Sequence, residues 1–159
     1  MVAGGDSRSE SVAAALETVD AEIVVVHDAA RPLVTAELID AVIDDLLADD
    51  DAGAVVAAAP VTDTIKEVAR RMEVDRTLDR SSLWAAQTPQ AFRAAALREA
   101  FASTELLAQA TDDAMLLERM GGRVLLHEAP AENLKVTTPL DLRVAELLVS
   151  GLAPERGKT

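Results

Sequence analysis

Four apolar residues, Ile23–Val26, run straight into His27, Asp28, Arg31 and Pro32, and this passage with its sequel constrains the fold most. After the proline, which cannot continue a central ladder, Thr35 is placed to cap a helix over "AELIDAVIDDLLADD". There Leu38, Ile39, Val42, Ile43, Leu46 and Leu47 fall on one stripe while the aspartates face water. Gly53 then restarts the chain into a second apolar run, "AVVAAAPV". A one-sided helix between two buried strands has few solutions, and the common one is a sheet with helices packed on it.

The same alternation recurs on both sides of this unit. "SRSESVAAALETV" predicts a helix, with Ser7 and Glu10 at capping-box spacing and Val12, Leu16 and Val19 on one face. "LWAAQT" reads as a strand, and Pro89 suits the first turn of a helix, "PQAFRAAALREAFAS". Thr111 or Asp112 starts "DDAMLLERM", closed by Gly121 and Gly122. "RVLLHEAP" and "NLKVTT" read as strands. Thr138 and Pro139 open a last helix, "PLDLRVAELLVSG", ended by Gly151. The expected architecture is α/β: a parallel sheet with helices on both faces. One passage breaks it: "DTIKEV" and "EVDRTL" alternate charged with apolar residues around "ARRM", which predicts a two-stranded arm with one wet face over residues 62–80.

Length and charge limit the function. At 159 residues one domain, 1–159, is expected. A net charge of −13 repels nucleic-acid backbones and anionic lipid surfaces, so neither nucleic acid nor membrane is expected as a partner. Without cysteine there is no disulfide, thiolate nucleophile or cysteine-bound zinc, which fits a cytoplasmic protein. No apolar run approaches a membrane span and no secretory leader is read. Only Val2 and Ala3 stand where a strand would precede the Gly4–Gly5 turn, so an N-terminally truncated domain is expected.

Ligands of open α/β sheets lie beyond the carboxyl ends of strands, which is where Asp28 and Arg31 fall. His27 and Asp28 do not make a Ser-His-Asp relay, because adjacent strand residues point to opposite faces. His27 is expected to be core- or helix-facing, hydrogen-bonded and neutral. His127 lacks the spacing of a metal site, and no protein-held metal is expected. The terminal "RGKT" has its first glycine misplaced for a P-loop and no helix after it. Twelve of the fifteen basic residues are arginine; the lysines are Lys66, Lys135 and Lys158. Lys135, followed by Thr137 and Thr138, would suit phosphate.

"GGDSRSESV", "VVVHDAARP", "APVTDTIKEV", "LDRSSLWAAQTPQAF", "TDDAMLLE" and "ENLKVTTPLDL" follow one another in an order that resembles the 2-C-methyl-D-erythritol 4-phosphate cytidylyltransferase family of isoprenoid biosynthesis (the non-mevalonate route) from about Val2 to Leu148. The resemblance implies a Rossmann-like nucleotidyltransferase sheet with helices on both faces and a protruding β-arm. It implies a transferase that joins CTP to a sugar-alcohol phosphate, releasing pyrophosphate, with Mg2+ held mainly through the CTP phosphates. Gly5, Asp6 and Ser11 match the cytosine edge; Asp28 matches the position between nucleotide and sugar phosphate, with Ala29 and Arg31 on the substrate side. Thr64 and Arg80 match arm residues that reach a neighbouring subunit, so a homodimer through the arm is implied. Thr111 and Lys135 match further phosphate contacts, and the "QTPQ" stretch, with Thr88, matches a family signature near the sheet's carboxyl edge. Arg80 and Lys135 would neutralise and aim the attacking phosphate. The glycine-rich loop, arginine and lysine that hold the triphosphate in that family have no counterpart here, so weak or no turnover is expected of this chain. A ribitol 5-phosphate cytidylyltransferase shares much of the motif set, and a non-catalytic dimerising fragment is the third reading.

Overall fold

The computed structural model describes residues 1–102 and 112–152. Helix α1 (Arg8–Leu16) starts as its capping spacing predicts: Ser7 Oγ accepts from the Glu10 amide at 3.2 Å, and Glu10 Oε2 accepts from the amides of Ser7 and Asp6 at 3.1 and 2.7 Å. Strand β1 (Ile23–Val26) leads to α2 (Ala36–Ala48), capped by Thr35, and to β2 (Ala52–Pro60). An excursion follows, β3 (Lys66–Val68) paired antiparallel with β4 (Val74–Thr77). The chain returns through β5 (Trp84–Arg93), α3 (Ala94–Phe101), α4 (Ala114–Arg119), β6 (Arg123–Glu128) and α5 (Pro139–Leu152).

The sheet has the order β1-β5-β2-β6. It is mixed rather than parallel: β5 runs antiparallel to both neighbours, while β2 and β6 are parallel. The cause is the excursion. A chain that leaves β2 and comes back without a crossover helix can rejoin only in the opposite direction. Alternation along β2 sends Ala54 and Val56 into one core, with Leu16, Phe92, Leu97 and Leu116, and Val55 and Ala57 into the other, with Leu38, Val42 and Leu46. Helices therefore do lie on both faces. Leu47, expected on the α2 stripe, is exposed.

Four further expectations change. Pro89 lies inside β5, and α3 begins only at Ala94. A central strand tolerates it because the β2–β5 ladder shifts register between Val56 and Ala58, leaving 87–89 between rungs. "NLKVTT" is not a strand: residues 133–137 are irregular, held by an amide bond from Val136 to the carbonyl of Ala30 at 2.7 Å. Gly151 lies within α5, not beyond its end. Strands β3 and β4 are exposed on both faces, not one, with Val68, Met72 and Val74 bare in the single chain. No described helix is long and apolar enough to cross a membrane.

Candidate active site

The corner after β1 is locked by β5. Thr88 Oγ1 accepts the Asp28 amide at 2.9 Å and meets His27 Nδ1 at 3.0 Å, while His27 Nε2 meets the Arg31 carbonyl at 3.1 Å. The proton assignment that satisfies all three bonds has Thr88 donating to Nδ1 and Nε2–H donating to the carbonyl. His27 thus shapes the corner from behind, hydrogen-bonded as expected. The amide of Arg31 donates to the Asp28 carbonyl at 2.9 Å and closes the turn.

Arg31 points inward. It is buried, its Nη1 donates to the carbonyl of Asn133 at 2.8 Å, and its Nε has no hydrogen-bond partner among the described residues. Asn133, also buried, donates to Gln87 Oε1 at 2.8 Å and to the Thr88 carbonyl at 3.0 Å. These bonds fasten the irregular 133–137 segment across the ends of β1 and β5, and so deliver Lys135, whose Nζ lies 2.9 Å from Asp28 Oδ2. The far end of that segment is fixed by the start of α5. There Asp141 Oδ2 accepts from the Thr137 amide and hydroxyl and the Thr138 amide at 3.0, 2.9 and 2.8 Å, which holds its carboxyl down at about 2.

Charges alternate around the cleft. Burial pushes the Asp28 carboxyl up, but the hydrogen bond and charge of Lys135, with Arg8 and Arg31 behind it, outweigh burial and hold it below the usual carboxylate range. Burial lowers Arg31, and Asp28 opposes that shift. Beside them Asp113 is fully buried and raised, chiefly by burial, with Arg8 pulling it down and Asp112 and Asp28 pushing it up.

Two hollows meet at this corner. One, of about 280 Å³, is lined by Arg31, Thr88, Gln90, Asp112 and Lys135. The other, of about 470 Å³, is lined by Ser11, Val12, Val26, His27 and Ala29. Arg8 and Asp28 line both. The fold thus joins Asp28, Arg31 and Lys135 in one hollow and puts Ser11 and Ala29 in the next. Gly5 reaches Ser11 through its amide, 3.1 Å from Oγ, and a β-carbon there would fall 2.4 Å from Glu10 Cβ, so only glycine fits. Asp6 is exposed beside it. Thr64 and Arg80 are exposed in the arm and line neither hollow; Arg80 Nη1 donates to the Thr62 carbonyl of its own arm. Thr111 lies outside the described residues.

The sequence reading missed Arg8, Gln90, Asp112 and Asn133. For Arg8 a signal existed: a cation in the first turn of a helix faces the positive end of the macrodipole, a broken local rule that marks a functional position. Asn133 and Gln90 carried none, since their burial is a property of the assembled fold.

The family model for 2-C-methyl-D-erythritol 4-phosphate cytidylyltransferase matches residues 1–151. The enzyme of that name from Symbiobacterium thermophilum is 49% identical over 154 residues, covering 94% of this chain and 63% of the relative. The one from Syntrophotalea carbinolica is 45% identical over 150 residues, covering 92% and 63%. The crystal structure of the Thermus thermophilus enzyme superposes with a TM-score of 0.80 at 39% identity, covering 92% of this chain and 71% of that one. The chain thus spans about 63% of the length of these two curated relatives.

Proposed function

Because the chain belongs to the 2-C-methyl-D-erythritol 4-phosphate cytidylyltransferase family, we propose that it serves the reaction of CTP with that sugar phosphate. A phosphate monoester oxygen attacks the α-phosphorus of CTP, the bond to the β-phosphate breaks, and pyrophosphate leaves. The observation that carries this reading is the meeting of Asp28 and Arg31, from one turn, with Lys135, from a distant stretch of chain, in a hollow that abuts a second one. The Lys135 hollow takes the sugar phosphate, and the Ser11 hollow, with Gly5 and Asp6 at its edge, takes the cytidine. Asp28 stands between them.

The residue types suit the chemistry. Both reactants are anions, so the barrier is largely repulsion and misalignment, and fixed cations address both. Lys135 is a point charge that exchanges the Asp28 carboxylate for a phosphate oxygen; the unpartnered Nε of Arg31 backs it from the buried side. The attacking phosphate is ionised near neutral pH and needs no general base. Thr64 and Arg80, remote from the hollow of their own chain, act in the hollow of a second copy, which makes the working unit a homodimer joined through the arms. Thr111 supplies a further phosphate contact. Magnesium fits this chain poorly as a protein-held ion. Asp28 is already engaged by Lys135 and Arg8, Asp112 Oδ1 accepts the Met115 amide at 2.9 Å, and no group of three metal-binding side chains occurs among the described residues. The ion is brought by the CTP phosphates. The matched relatives are named for the erythritol phosphate, which disfavours the ribitol alternative.

Calorimetric titration with 2-C-methyl-D-erythritol 4-phosphate tests the assignment. Saturable heat in the wild type, lost in Lys135→Ala, is the expected result. No heat in the wild type, or equal heat in both, overturns it. Pyrophosphate release with CTP present then measures turnover.

A further inference from the structure

Arg8 spans the wall between the two hollows. Its Nη1 lies 2.9 Å from Asp113 Oδ2 and its Nε 3.6 Å from Asp28 Oδ1. Asp113 is fully buried, and neither of its oxygens has an aligned hydrogen bond among the described residues, so its balance rests on the ion pair with Arg8. A buried carboxylate left with one cation holds that cation firmly, since losing it would strand a charge away from water. The guanidinium is therefore anchored from behind, and what remains of it faces Asp28. The other oxygen of Asp28 receives Lys135. Four charges of alternating sign, Asp113, Arg8, Asp28 and Lys135, run from the start of α4 through the starts of α1 and the β1 corner to the 133–137 segment.

We propose that Arg8 is a positioning residue: anchored on Asp113, it fixes the Asp28 carboxylate, which in turn aims Lys135 into the sugar-phosphate hollow. The last step rests on the transferase reading above; the first two rest on the geometry alone. The demand falls on arginine in particular. Two separate guanidinium nitrogens serve two carboxylates at once, whereas an ammonium is a single point. A lysine at this position goes to the buried Asp113 and leaves Asp28 with Lys135 and Arg31.

Arg8→Lys, which keeps the charge, is the decisive variant, with Arg8→Gln as a second should the first fail to fold. Two readouts are taken on the full 159-residue chain. One is the carbon-13 carboxyl titration of Asp28, a group faced by Lys135, Arg8 and Arg31. The other is calorimetric affinity for 2-C-methyl-D-erythritol 4-phosphate. The Asp28 midpoint rises in both variants, and affinity falls about fivefold to tenfold in Arg8→Lys, further in Arg8→Gln, which also removes a cation. A purely structural tie between α1 and α4 would move neither. An unmoved midpoint overturns the proposal whatever the affinity does, and so does a moved midpoint with wild-type affinity in Arg8→Lys. If the wild type binds no sugar phosphate, the transferase reading falls by itself, and the midpoint alone decides whether Arg8 fixes Asp28.

Discussion

The cleft and the arm use the same residue types in opposite settings. In the cleft, Arg31 is buried and bonded to Asn133, Lys135 is paired with Asp28, and the segment between them is tied by Asn133 to β5. In the arm, Arg80 and Thr64 are exposed, and the ion pairs stand in water, as with Arg76 and Glu67 at 2.7 Å. In the cleft, Arg31 and Lys135 are held by partners within the same chain. The arm is held by little beyond its own hairpin, and Thr64 and Arg80 line neither hollow of their own chain. The difference separates side chains that the fold of the cleft fixes from side chains that the arm leaves in solvent.

The sharpest way to break that comparison is to truncate an arginine on each side. Arg31→Ala should cost about 1.5–3 kcal/mol of stability in urea unfolding, the range for a hydrogen bond to a charged group, because the Asn133 carbonyl loses its buried partner. Arg80→Ala should stay within about 0.5 kcal/mol, yet still impair turnover in any dimeric assembly that turns over. Equal losses from the two would mean that the arm is as structural as the cleft.

Next in size is the acid limb of stability. The Asp28 carboxyl is lower folded than unfolded, so its contribution is present above its ordinary value near 3.8 and disappears as pH falls through the lower folded value. Lys135→Ala removes the main lowering influence, leaves burial in command, and should shift the acid-unfolding midpoint upward. The same change at Lys66, whose partner is Thr77 on the exposed arm, should leave that midpoint in place. Acid-unfolding curves followed by circular dichroism compare the two.

The smallest effect sharpens the contrast from the arm's side. Arg76→Ala should cost no more than about 0.5 kcal/mol, and salt should erase the difference from wild type, as expected of an exposed pair. A salt-resistant loss of several times that size would show the arm to be buried against something in solution.

What the sequence disclosed follows from what local chemistry encodes. The caps at Ser7, Thr35 and Thr138 could be read, as could the buried stripe Leu38, Val42 and Leu46, because each depends on neighbours a few residues apart. The corner at Asp28 was legible because a polar cluster ends an apolar run. The direction of β5 was not, since hydrophobic periodicity is the same whichever way a strand runs. The backbone around Lys135 is not legible: a short apolar-flanked lysine looks like a strand, whereas Val136 bonds to the Ala30 carbonyl and Lys135 to the Asp28 carboxylate, both far off in sequence. The Asp113–Arg8 pair joins residues over a hundred positions apart and leaves no local trace beyond one cation in an unfavourable helical turn.

The reversed strand has one more consequence. Because β5 returns against β2, the arm leaves and re-enters the sheet at a single rung, Pro60 opposite Trp84, with Val61 and Leu83 bonded just beyond it. Topologically the excursion is a hairpin tip, so it can lengthen, shorten or be exchanged without altering strand order. Its contour can drift among copies of the fold while the sheet keeps its registration.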